Sequence, residues 1–280
     1  MLNALRIIVK NGSFILFLIL QIICFYWIIS YNQKQNKIYL YTAQLYATIL
    51  KNKYQGFTSY FSLKDKADQI AEDNAKLFSR LLNLEAIEKS DSMQLDSTKS
   101  NAMINTYSVL SARVINNSLS RKNNYLTLNK GGLDGVSPGM AVVTLNGLVG
   151  IITDTTSHFS TVMSLLHSNS RISCSLKRSG FFGSLIWKDR DPSILQLEDI
   201  QKYADVRIGD TLMTSGYSIV FPKGLTIGYV KNYFAEPGSF TYTIIVTPSQ
   251  NLTALDRVYI INNRLKEEKE YLESITRENE

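Results

Sequence analysis

Apolar residues fill positions Phe14 to Ile29 with one polar interruption, Gln21, and no other segment of the chain has this character. At about 1.5 Å per residue, a helix over 13–31 reaches the thickness of a bilayer core, so the pattern predicts one membrane anchor. Phe25, Tyr26 and Trp27 stand where a cleavable signal would carry small residues, and Tyr and Trp favour the lipid–water boundary. The anchor is read as uncleaved. Arg6 and Lys10 precede it while Lys34 and Lys37 follow it, so charge alone does not orient it.

Beyond Tyr31 there is no proline until Pro138, and helix-compatible residues run to about Ser90. Leu63, Ile70, Leu77 and Leu84 recur every seven residues, with Tyr60, Ala67, Asn74 and Leu81 three positions before each. That spacing predicts a coiled coil over 32–90, strongest beyond Phe57 because Lys53 and Gly56 interrupt the frame. Asn74 at an a position favours one register and a low oligomer number, which points to a homodimer through Leu63, Ile70, Asn74, Leu77, Leu81 and Leu84. The alternative is one amphipathic helix lying on its own globular domain. Fully helical, the segment would span about 85 Å. Residues 91–106, rich in Ser, Asp, Thr and Asn, keep no heptad and read as a linker.

From Tyr107 the period shortens to two. Short strand candidates run from Tyr125–Asn129 to Val258–Ile261, separated by turn signals. Ile172, Cys174 and Leu176 alternate with Ser173, Ser175 and Lys177, and Tyr242, Ile244 and Val246 alternate with Thr241, Thr243 and Ile245. Strands without intervening helices argue for a mainly β fold of two small antiparallel barrels. We place these at 107–168 and 169–262, with the terminal strands free to return to the first barrel, and a charged tail at 263–280. Gly131-Gly132-Leu133-Asp134-Gly135 looks like a phosphate loop, but it feeds Pro138-Gly139 and a strand, not a helix; its glycines are turn residues.

Composition adds limits. With 45% hydrophobic residues the chain can build a substantial core. The net charge of +6 is spread, with a loose concentration at Arg171, Lys177, Arg178, Lys188 and Arg190, and the dense basic stripe of a nucleic-acid binder is missing. A mild affinity for anionic lipid or cell-wall polymer is compatible with it. Cys24 sits in the anchor and Cys174 in a strand, so no disulfide joins them. The two histidines, His158 and His167, come without a CxxC or HExxH pattern, and neither a metal nor a cofactor is expected. His167 reads as the cap of an apolar strand.

Asn129-Lys130-Gly131-Gly132-Leu133-Asp134-Gly135-Val136, Gly139-Met140-Ala141-Val142-Val143 and Gly147-Leu148-Val149-Gly150 resemble the signature region of the bacterial rod shape-determining MreC family. Asp205-Val206-Arg207-Ile208-Gly209-Asp210, Thr214-Ser215-Gly216, Phe221-Pro222-Lys223-Gly224-Leu225-Thr226-Ile227-Gly228 and Val246-Thr247-Pro248 follow in the family's order. The resemblance covers about residues 107–262. Tyr217 departs from it, standing where a glycine-rich stretch is usual, and Arg264–Glu280 lies outside it.

The resemblance implies a single-pass protein of the bacterial inner membrane, with residues 1–12 cytoplasmic and the bulk periplasmic. It further implies a non-catalytic scaffold of cell elongation that engages MreD and the elongation-specific penicillin-binding transpeptidase and links MreB to peptidoglycan synthesis. Two other classes compete. A two-barrel hydrolase would need Ser215, beside Gly216, activated by a histidine that a carboxylate holds, but no Gly-Asp-Ser-Gly-type run surrounds it. A periplasmic export adaptor would carry two helical arms, whereas here one helical stretch precedes all strands. Aromatic anchors dominate many interfaces, so Phe181, Phe182, Tyr217 and Phe221 are candidates for the partner surface, with barrel core as the competing place for each.

Overall fold

The computed structural model describes residues 12–31, 65–87, 106–188, 191–235 and 237–278, with side chains of the first helix described through Ile28. Helix α1 (Gly12–Tyr31) has 20 residues. Among the described residues no helix is long and apolar enough to cross a membrane. Helix α2 covers residues 65–87. Leu63, the stretches 32–64 and 88–90 of the expected coiled coil, and residues 91–105 of the linker lie outside the described residues.

Twelve strands follow: β1 (Tyr107–Asn117), β2 (Asn123–Leu128), β3 (Ala141–Val143), β4 (Leu148–Thr155), β5 (Ser160–His167), β6 (Ile172–Leu176), β7 (Phe182–Ile186), β8 (Leu195–Gln201), β9 (Thr211–Thr214), β10 (Thr226–Phe234), β11 (Thr241–Pro248) and β12 (Arg257–Asn263). They close into two antiparallel barrels, β1-β12-β3-β4-β5-β2 and β10-β11-β8-β7-β6-β9. Closure removes the sheet edges that open small sheets would expose. The second barrel ends at Pro248, not near 262. β12 returns to the first, pairing on one side with β1 (Ala112 opposite Val258) and on the other with β3 (Val142 opposite Ile260). β1 precedes every strand that alternation identified.

The first barrel has its own interior, with Leu126, Leu128, Val142, Val149, Ile152, Val162 and Ile260 at 2% exposure or less. The opposite faces of its strands are also covered. Ala141, Val143, Leu148, Leu166 and Ile261 join one apolar cluster with Leu176, Leu197, Leu212 and Ile244 of the second barrel and with Ala75 and Leu82 of α2. β3 is therefore buried on both sides, which is why it reads as an unbroken apolar run. Polar bonds cross the same junction: the Thr144 hydroxyl meets the Gln250 side chain, Gln250 Nε2 donates to the Leu148 carbonyl at 2.9 Å, and Asn263 Nδ2 donates to that of Ile219 at 3.0 Å.

The glycine-rich stretch is a turn. Gly132–Asp134 forms one 3₁₀ turn closed by Gly135 at φ 83°, and a Cβ on Gly131 would lie 2.4 Å from the Thr156 carbonyl of the β4–β5 hairpin. Only glycine lets these two backbones meet. The charged tail forms a helix, α3 (Lys266–Glu278), with Tyr271 and Leu272 exposed.

Candidate interaction surfaces

Helix α2 carries two apolar stripes. Ala71, Ala75, Phe78 and Leu82, spaced four, three and four apart, face the chain's own strands, with Phe78 meeting the Tyr259 ring edge-on at 6.2 Å. The small alanines let the helix backbone approach the sheet closely. Ile70, Leu77, Leu81 and Leu84 are 55–61% exposed, and Asn74 is half-buried between the stripes. The helix thus does lie on its own domain, but by a face other than the heptad seam. The seam is left open to solvent.

A second apolar surface forms at one end of the second barrel, where the β6–β7 turn and the loops after β8 and β9 converge. Phe182 and Tyr217 are 60% and 72% exposed and meet edge-on at 5.5 Å; Phe181, partly buried, meets Tyr203 in the same way at 5.5 Å. Tyr203, exposed at 79%, belongs to this surface, and Ile208, exposed at 68%, lies in the same loop after β8; both were missed in the sequence. Their only signal was an apolar residue inside a polar turn. Phe221 is corrected: at 3% exposure it is a core residue, packed in the cluster that joins the barrels. Tyr217, which follows Gly216 at φ 82°, stays exposed.

An ion cluster holds this end together. Arg178, in the β6–β7 turn, donates Nε and Nη2 to the two carboxylate oxygens of Asp210, each at 2.8 Å, and also reaches the carboxylate and carbonyl of Asp205. Hydrogen bonds from Arg178 hold both carboxyls below the ordinary aspartate range. A bidentate arginine fixes direction as well as distance, so it registers the Phe181–Phe182 turn against the loop that carries Tyr203.

The residues considered for hydrolysis are engaged elsewhere. The Ser215 hydroxyl bonds that of Ser173 at 2.8 Å, and His167 Nε2 lies 3.0 Å from the Tyr125 hydroxyl in the first barrel. His167 Nδ1 accepts the Asn169 N–H at 3.0 Å, so this histidine caps its strand. Burial lowers its pKa, in the same sense as the hydrogen bond that Nδ1 accepts. Among the described residues no group of three or more His, Cys, Asp or Glu side chains could hold a metal.

Residues 114–262 match the family described as "Rod shape-determining protein MreC, barrel core". The chain belongs to the MreC family. It is 30% identical over 215 residues to the cell shape-determining protein MreC of Listeria monocytogenes, covering 76% of this chain and 70% of that one. It is 31% identical over 223 residues to the MreC of Bacillus subtilis, covering 76% and 73%. Among solved structures, MreC from Listeria monocytogenes superposes with a TM-score of 0.56 at 27% identity, covering 72% of this chain and 94% of that one. MreC from Pseudomonas aeruginosa, at 23% identity and a TM-score of 0.51 over 54% of this chain and 97% of that one, shares the fold. MreC proteins are cell shape-determining proteins, and the two six-stranded barrels are the part this chain shares most clearly with them.

Proposed function

We propose that this MreC-family chain is a non-catalytic, membrane-anchored scaffold of cell elongation, held in the inner membrane by α1 with its barrels in the periplasm. The observation that carries the reading is that the apolar cluster joining α2 to the barrels supports two separate exposed apolar surfaces, the seam of α2 and the aromatic end of the second barrel. Apolar surface of this kind is costly in water and marks interaction sites. The 20 residues of α1 amount to about 30 Å of helix, and its described apolar side chains are exposed on all sides, as a helix facing lipid requires. The α2 seam pairs with a second copy. The aromatic end docks the elongation-specific penicillin-binding transpeptidase, MreD joins through the membrane, and MreB is coupled from the cytoplasmic side, indirectly or through residues 1–12.

The test is a pull-down of the full chain from detergent-solubilised membranes with its companions identified by mass spectrometry. Recovery of MreD and the transpeptidase is expected; recovery of an export pump with its outer-membrane channel, and neither of those two, would sink the scaffold.

A further inference from the structure

The outer face of β1 and β2 carries a polar groove that none of the proposed contacts uses. β2 alternates, with Asn124, Leu126 and Leu128 turned inward and Asn123, Tyr125 and Thr127 outward. Thr127 stands opposite Asn116 of β1. Together with the β1–β2 turn, including Arg121, these residues line a cavity of about 510 Å³. A second cavity of about 560 Å³ is lined by Lys122, which follows Arg121 in the same turn, and by Ser168, Asn169, Trp187 and Lys188. The two linings are tied where Ser168 Oγ donates to Asn123 Oδ1 at 2.7 Å. Each volume is that of a small-ligand site.

The chemistry of the walls is one-sided. Neither lining contains an Asp or Glu. Lys188 is paired with Glu198, whereas the guanidinium of Arg121, the ammonium of Lys122 and the side-chain amide of Asn116 have no partner among the described residues. Tyr125 adds an oriented donor. The Asn169 N–H occupies the lone pair of His167 Nδ1, so the neutral ring carries its proton on Nε2 and donates it to the Tyr125 oxygen. The phenolic hydrogen is then turned away from His167, on a ring that is 39% exposed in the groove. Unpaired cations, amides and hydroxyls, set beside the exposed Tyr125 ring and the apolar surface of Leu119 and Trp187, suit a ligand with many hydroxyls and negative charge.

We propose that this groove binds an anionic, polyhydroxylated chain along the outer face of the first barrel. Carbohydrate bearing carboxylates and polyol phosphate share that chemistry, and the test separates them. The full chain in uncharged detergent is titrated, by fluorescence anisotropy, against labelled oligogalacturonate, poly(glycerol phosphate) and a neutral chito-oligosaccharide. Saturable binding of at least one anion is expected, weaker at high salt and weakened about tenfold by Arg121→Gln, the loss of one charge-assisted contact. Tyr125→Phe should weaken it severalfold. The tighter of the two anions names the source. Arg121 is exposed and outside the core, so its variant keeps the wild-type circular dichroism and tests the groove even if Tyr125→Phe loosens the His167 cap. Failure of both anions to bind, affinities unmoved by Arg121→Gln, or equal affinity for the neutral oligosaccharide would overturn the proposal. Retention of the transpeptidase by Arg121→Gln keeps this result separate from the scaffold reading.

Discussion

Asn83 closes two hydrogen bonds on the backbone of one residue, Tyr107: its Oδ1 accepts the Tyr107 N–H and its Nδ2 donates to the Tyr107 carbonyl, both at 2.9 Å. Ser79 Oγ donates to the same carbonyl at 2.8 Å. The amide is 5% exposed and stands in for the missing strand neighbour at the start of β1, where α2 meets the first barrel. Asn83→Leu should therefore cost about 2–3 kcal/mol by leaving the Tyr107 N–H buried without an acceptor. Urea unfolding followed by far-ultraviolet circular dichroism checks this, and a change below about 0.5 kcal/mol would remove Asn83 as the anchor of α2.

The two stripes of α2 should respond in opposite ways. Leu77→Lys and Leu84→Lys, on the exposed seam, are expected to reduce self-association in sedimentation equilibrium while leaving unfolding unchanged. Leu82→Ala, on the barrel side, should leave association intact and cost about 2–4 kcal/mol of stability. Asn74→Leu should blur the oligomer state by removing the polar selector from the seam. A chain that is monomeric before and after all three changes to the seam would refute the dimer.

Charge placed on the aromatic end should separate binding from folding. Phe182→Asp and Tyr217→Asp are expected to weaken capture of the transpeptidase's periplasmic region by at least about tenfold, as loss of a buried aromatic anchor does, with the β-sheet spectrum intact. Phe221→Ala should instead lower stability by about 3–5 kcal/mol, because it empties a core site. Unchanged binding by both aspartate variants would move the docking surface elsewhere.

Acid should loosen the same end. Asp205 and Asp210 have folded-state pKa values depressed by Arg178, so their contribution is complete above the unfolded aspartate value of about 4 and is lost as pH falls through the depressed folded values. Arg178→Met should flatten this part of the stability profile below about pH 4. An identical acid limb in the variant would show that the cluster contributes nothing to the titration.

His167 should govern a higher pH range. Its folded pKa is depressed by burial, so the unfolded chain takes up a proton first, and stability declines as pH drops below the unfolded value of about 6.5. Protonation would also set a second N–H against the Asn169 amide that Nδ1 now accepts. His167→Asn is expected to remove the slope that sets in below about pH 6.5 in a thermal-melt series; persistence of that slope would assign it to other groups.

Periodicity along the chain determined a great deal of this. The heptad of Ile70, Leu77 and Leu84, the alternation of Ile172, Cys174 and Leu176, the turns at Gly131–Gly135 and the strand-capping place of His167 are local patterns, because side-chain direction repeats with the backbone itself. So are the two-barrel class and the family motifs. What lay beyond local pattern was decided by closure. After β11 the chain leaves the second barrel, and β12 pairs with β1 across nearly the whole length of the domain, a non-local pairing that no neighbouring residue encodes. The exposed or buried place of an aromatic depends on what packs opposite it: Phe221 meets the joined core while Phe182 and Tyr217 meet each other and stay largely exposed. Likewise α2 has apolar residues on two faces, and only the arrival of β1 and β12 beneath Ala75 and Leu82 selects which one is covered. The sequence specifies the faces, and the tertiary structure assigns their neighbours, because burial is a property of two surfaces and only one of them is local.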